Sequence, residues 1–154
     1  EEDMVKQASE FAGTVPVRHL LPYWKTSNRY LFSGGSVNMR DAAVYAKEEN
    51  WSKAVELWKQ TYETKKGKQK MYAAYNTALG YEMQDSIDTA LEWALKAQTL
   101  AREKSKTDKK ETGEIHDGTI SYYIFISMYV DELEKRKEGM ARLNMQMNRF
   151  DDDF

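Results

Sequence analysis

Two histidines are the only side chains of this 154-residue sequence whose ordinary titration falls near neutral pH, and His19 and His116 lie far apart. A helix-borne zinc site needs histidine and carboxylate at helical spacing, as in HExxH, and that pattern is absent. His116 stands close to Glu114 and Asp117, a weak metal-binding set that reads as a solvated loop histidine. His19, beside Arg18, reads as a structural or surface residue rather than a base. Cysteine is absent, which excludes disulfides, thiolate catalysis and cysteine-ligated zinc. Phe32-Ser33-Gly34-Gly35-Ser36 lacks the GxxxxGK(S/T) spacing of a phosphate cradle and reads as a turn. No GxSxG elbow occurs. The adjacent carboxylates of Glu48 and Glu49 point to different sides of a helix and are ordinary solvated charges. The expectation is a protein without catalytic residues, metal or cofactor, and not an enzyme.

Lysines cluster in two places, Lys65, Lys66, Lys68 and Lys70, then Lys104, Lys106, Lys109 and Lys110. Asp108 and Glu111 interrupt the second cluster and the formal net charge is −2, so a nucleic-acid partner is not expected. Hydrophobic residues make up 41% of the chain, including four tryptophans, enough for a core. Two prolines and eight glycines favour helices over a many-turned β fold. No apolar run is long enough to span a bilayer. The chain opens Glu-Glu-Asp without a methionine, as expected of a processed or excised piece.

The elements that must position any site centre on residues 71–97. Ala74, Ala78 and Tyr81 share one face of a predicted helix, and Ala90, Ala94 and Ala97 line a second. Asp85 or Ser86 is placed to cap that second helix. Small residues at this spacing let two helix axes approach closely, as in a helical hairpin. The pattern recurs 36 residues upstream: Ala42 corresponds to Ala78, Tyr45 to Tyr81, Ala54 to Ala90 and Glu56 to Glu92. Such a period signals stacked hairpins. Helices are expected at about 37–49, with Ser36 as N-cap, and at 51–65, with Asn50 as N-cap. The second hairpin is expected over about 70–104.

Around these hairpins, residues 2–12 carry an amphipathic helical stripe. Pro22 is placed to begin a helix from which Tyr23, Trp24, Tyr30 and Leu31 pack onto the first hairpin as an N-terminal cap. The polar run 105–118 reads as a solvated loop. Residues 120–130, ISYYIFISMYV, have high β-propensity but run without a turn into a strong helix former. They are therefore expected to begin a C-terminal capping helix at about 118–148 that covers the second hairpin. Left partly exposed, they would favour a weak homodimer over a monomer. Asp151-Asp152-Asp153-Phe154 is expected to fray. The fold class is all-α, a single domain of two hairpins with helical caps.

A small residue, an aromatic three later, a bulky residue six after that and an alanine three further resembles the tetratricopeptide repeat. Asn38 and Ala74 replace that family's usual tryptophan. LPYWKTSNRYLF, ENWSKAVELW and AAYNTALGYEMQDSIDTALEWA, in that order, are similar to the C-terminal part of a lipoprotein family of unknown function from Bacteroidetes-type bacteria. The resemblance implies a cell-envelope location, periplasmic or outer-membrane, with a lipidated portion outside this chain.

By analogy with tetratricopeptide repeats, the first helix of each pair lines a concave groove at Met39, Arg40, Ala43 and Lys47, then Tyr72, Tyr75, Asn76, Leu79 and Met83. Tyrosine, methionine and one amide suit an extended peptide or an amphipathic helix, with Asn76 pairing to a backbone amide. The expected function is a non-catalytic protein-interaction module with a protein or peptide partner. The alternative is a structural accessory domain whose groove is covered by its own chain.

Overall fold

The computed structural model describes residues 11–20, 24–112 and 117–152. Two strands, β1 (Phe11–Leu20) and β2 (Trp24–Phe32), precede five helices: α1 (Val37–Lys47), α2 (Trp51–Thr64), α3 (Lys68–Met83), α4 (Ile87–Thr112) and α5 (Asp117–Asp152). The class is all-α. The helices pack in series, each against the next in the chain, and the antiparallel β1–β2 hairpin lies against α1, α3 and α5.

The 36-residue period is written into the backbone of both hairpins. At the α1–α2 turn, Glu49 N–H donates to Ala46 O and Asn50 N–H to Tyr45 O, and Glu49 has φ of 61°. At the α3–α4 turn, Asp85 donates to Glu82 O and Ser86 to Tyr81 O, and Asp85 has φ of 60°. Both helices end on one left-handed residue, the arrangement that satisfies their last carbonyls. The following residue then opens the next helix, and Asn50 Oδ1 accepts from Lys53 N–H. Ser36 caps α1 by accepting from Met39 N–H.

Alanine builds the interior between helices. Ala42 and Ala46 on α1, Ala54 on α2, Ala74 and Ala78 on α3, and Ala90, Ala94, Ala97 and Ala101 on α4 are all buried. Gly80 takes the close approach furthest: a methyl there would collide with Val55 Cγ2, with Trp58 Cζ3 only 3.2 Å away. The central helix α3 is buried all round from Met71 to Gly80, because α2, α4, α5 and β2 surround it. A helix in that position has no solvated face to keep polar.

Residues 24–32 form a strand, correcting the expected N-terminal capping helix. Lys25-Thr26-Ser27-Asn28 are mostly poor helix formers. From Asn28 the chain alternates, with Asn28 and Tyr30 exposed and Arg29 and Leu31 buried, which is a strand's period rather than a helix's. Pro16 sits in β1, where an edge strand tolerates its missing N–H. The stripe expected over 2–12 lies outside the described residues except for Phe11 and Ala12, which belong to β1; Pro22 and Tyr23 of the expected cap also lie outside the described residues. The polar run expected as a loop from 105 is helical as far as Thr112. Residues 120–130 are helical, with Tyr122, Ile126, Tyr129 and Val130 buried and Ile124 and Met128 exposed. No helix among the described residues is long and apolar enough to cross a membrane.

Candidate functional site

One face of α3 is covered by this chain's own β2. Asn76 Nδ2 donates to Phe32 O at 2.6 Å, and Phe32 N–H donates to Asn76 Oδ1 at 3.1 Å. Tyr75 Oη donates to Tyr30 O at 2.7 Å. Three backbone groups of an extended strand are therefore held by side chains of one helix. The Phe32 ring is fully buried, stacked on Tyr72 at 4.2 Å and edge-on to Tyr75 at 5.2 Å. Phe125 of α5 meets it edge-on from the other side at 6.2 Å, and Tyr72 Oη donates to Tyr122 Oη at 2.9 Å. Such edge-on and offset pairs add to the burial of the rings themselves.

One turn beyond Asn76's neighbours lies a buried ionic cluster centred on Glu82. Arg29 of β2 grips its carboxylate with two hydrogen bonds, Nε to Oε1 at 3.0 Å and Nη2 to Oε2 at 3.1 Å. Arg136 of α5 donates to Oε2 at 2.8 Å and Tyr129 Oη to Oε1 at 3.0 Å. Arg136 also approaches Asp85 at 3.7 Å, but Asp85 is exposed and screened. Burial alone would push the Glu82 carboxyl up; the hydrogen bonds and charge of Arg29 and then of Arg136 outweigh it and hold it below the usual 4.5. Burial acts on Arg29 in the downward sense, and its bonds to Glu82 reverse the outcome and raise it. Tyr75 and Tyr129 are raised, chiefly by burial. These are groups held in one protonation state, the opposite of what a general acid or base needs.

The groove residues expected from the sequence divide accordingly. Met39, Tyr72, Tyr75, Asn76 and Leu79 are at most 3% exposed, Met83 is half-buried, and only Arg40 and Lys47 lie in the open. Strand β2 and helix α5 cover Tyr72, Tyr75 and Asn76, so these three, expected to line a groove open to a partner, are instead covered by their own chain. Tyr72, Tyr75 and Asn76 converge on Phe32, whereas Arg40 and Lys47 take no part. Of the two histidines, His116 lies outside the described residues and His19 falls in β1. Among the described residues no three histidines, cysteines or carboxylates gather as a metal would require. Sequence reasoning missed Glu82 and its partners. The only local signal was a carboxylate in the otherwise apolar run from Ala78 to Met83, and nothing local points to Arg29 or Arg136.

The geometry defines a class: an all-α domain of helices packed in series, with an extended strand of the same chain held against its central helix. The chain belongs to the family described as Domain of unknown function (DUF6340), which matches residues 40–135. A second family, Domain of unknown function (DUF8603), matches residues 1–32. No curated protein and no solved structure matches the chain.

Proposed function

We propose that this domain is a non-catalytic, tetratricopeptide-like accessory module whose groove holds the segment that precedes it instead of a separate ligand. The observation that carries this reading is the two-way pairing of Asn76 with the Phe32 backbone. It is the grip a repeat groove uses on an extended peptide, made here within one chain. The boundary between the two family matches adds support. Arg29, Tyr30 and Phe32 belong to the segment matched over 1–32, and their partners Glu82, Tyr75 and Asn76 belong to the one matched over 40–135. The module works as an internal clamp between two kinds of sequence. Its setting is a bacterial envelope lipoprotein, a part of the reading supported by resemblance alone.

A protease site placed at Gly34-Gly35, where the chain is exposed, tests the clamp. After cleavage the two pieces are expected to co-elute on size exclusion, and Asn76→Ala to separate them. A helical piece that stays folded and elutes alone after cleavage of the wild type would overturn the reading.

A further inference from the structure

On a face away from the strand, three lysines from three successive helices stand over three aromatic rings. Lys96 Nζ of α4 lies 4.0 Å from the centroid of Trp93 and 5.9 Å from that of Tyr62. Lys70 Nζ of α3 lies 4.7 Å from Tyr62. Lys59 Nζ of α2 lies 5.0 Å from Tyr81 and 5.8 Å from Trp93. The rings of Tyr62 and Trp93 meet edge-on at 5.0 Å, so the six side chains form one continuous patch. The ring faces attract the ammonium groups without cancelling their charge. Among the described residues none of the three lysines lies within ion-pair distance of an acid.

This arrangement is unusual for a chain with two more acids than bases. Ordinary solvated lysines drift toward nearby carboxylates, and Glu92 lies one turn from Lys96. The aromatic platform instead strings three like charges along one run of rings, with Lys96 exposed and Lys59 and Lys70 partly exposed. Such a surface attracts an anion that can reach several ammoniums at once. Glu56 and Glu63 share a depression with Lys59 at the patch margin, and they would repel the continuous charge of a nucleic acid. Discrete carboxylates on a short segment can meet the lysines and avoid that margin.

We propose that Lys59, Lys70 and Lys96, held by Tyr62, Tyr81 and Trp93, form a docking surface for an acidic segment of another protein. It is distinct from the clamp: among the described residues Tyr75, Asn76 and the Glu82 carboxylate take their hydrogen bonds from β2 and α5, not from these six side chains. The test titrates the protein with a fluorescein-labelled hexaglutamate peptide and, separately, with a labelled oligothymidylate. The peptide is expected to bind with an affinity that falls as salt is raised, and Lys59→Gln/Lys96→Gln to weaken it about tenfold. Lys65→Gln/Lys66→Gln, in the exposed turn before α3, is expected to leave it unchanged. On the wild-type protein, the side-chain NMR signals of Lys59, Lys70 and Lys96 are expected to shift on peptide addition. No peptide binding at about 1 mM, a peptide affinity indifferent to Lys59→Gln/Lys96→Gln, unmoved lysine signals, or tighter binding of the oligothymidylate would each overturn the proposal.

Discussion

Replacing Glu82 with glutamine keeps the shape of the side chain and removes its charge. In the native protein the carboxylate accepts four hydrogen bonds, three of them from guanidinium groups. Glu82→Gln leaves Arg29 and Arg136, only 6–7% exposed, without an anion between them. It also turns an amide donor toward donors. Breaking a buried pair from one side costs about 3–5 kcal/mol, a large part of the ~5–15 kcal/mol that holds a domain of this size together. Arg29→Met is a milder change, although it removes two of the four bonds. Glu82 then retains Arg136 and Tyr129, a neutral set, and methionine fills the space, so about 1–2 kcal/mol is expected. Urea and thermal unfolding followed by helical circular dichroism measure both. Glu82→Gln is expected to lower Tm by about 10 °C and to be clearly the worse of the two. An Arg29→Met loss equal to or larger than the Glu82→Gln loss would refute the view of Glu82 as the single anion serving two buried cations.

Other consequences are equally open to measurement. Because the folded Glu82 carboxyl lies below its usual 4.5, its stabilisation is complete above that pH and lost as pH falls through the folded value. Acid titration of wild type against Glu82→Gln is expected to show the two stabilities converging as pH falls below 4.5 and on through the lowered folded value. Asn76→Ala strips partners from the buried Phe32 N–H and C=O and is expected to cost about 2 kcal/mol. Hydrogen exchange at the Phe32 amide should accelerate with it. Gly80→Ala gains ~1 kcal/mol of helix propensity but loses about 1–3 kcal/mol to overpacking against Val55, so denaturant unfolding should show net destabilisation. Glu49→Gly relieves a left-handed conformation and should stabilise by about 0.5–1 kcal/mol in the same assay.

What could be read from the chain, and what could not, follows the range of the forces involved. The alanine stripes of Ala78 and Ala90 and the caps at Ser36 and Asn50 are local patterns, set within a turn or two. They locate both hairpins, except that α4 runs on to Thr112, well past the expected end at about 104. Asn76 was legible as a residue that grips a backbone amide, but not as one gripping its own chain, because Phe32 lies 44 residues away. The strand at Trp24–Phe32 was hidden by Pro22 and by aromatics that suit either structure. Its buried Arg29 resembles a surface residue until Glu82 stands opposite. The polar run after Lys104 looked like a loop because it has no apolar face, yet charged residues of good helix propensity simply continue α4.

Glu82 lies 53 residues after one of its arginines and 54 before the other. This near-symmetry has a kinetic meaning. Loop-closure cost grows only with the logarithm of length, so neither arginine has an entropic head start. Nearby helices such as α2, α3 and α4 can pair through short loops, while both long closures wait for the same carboxylate. During synthesis the N-terminal hairpin emerges first, and a two-stranded ribbon is marginal alone. At about 5–20 residues per second it waits several seconds for Asn76 and Glu82, and longer for Arg136. The first part of the domain to be made is thus among the last to be locked, and the final helix turns the lock.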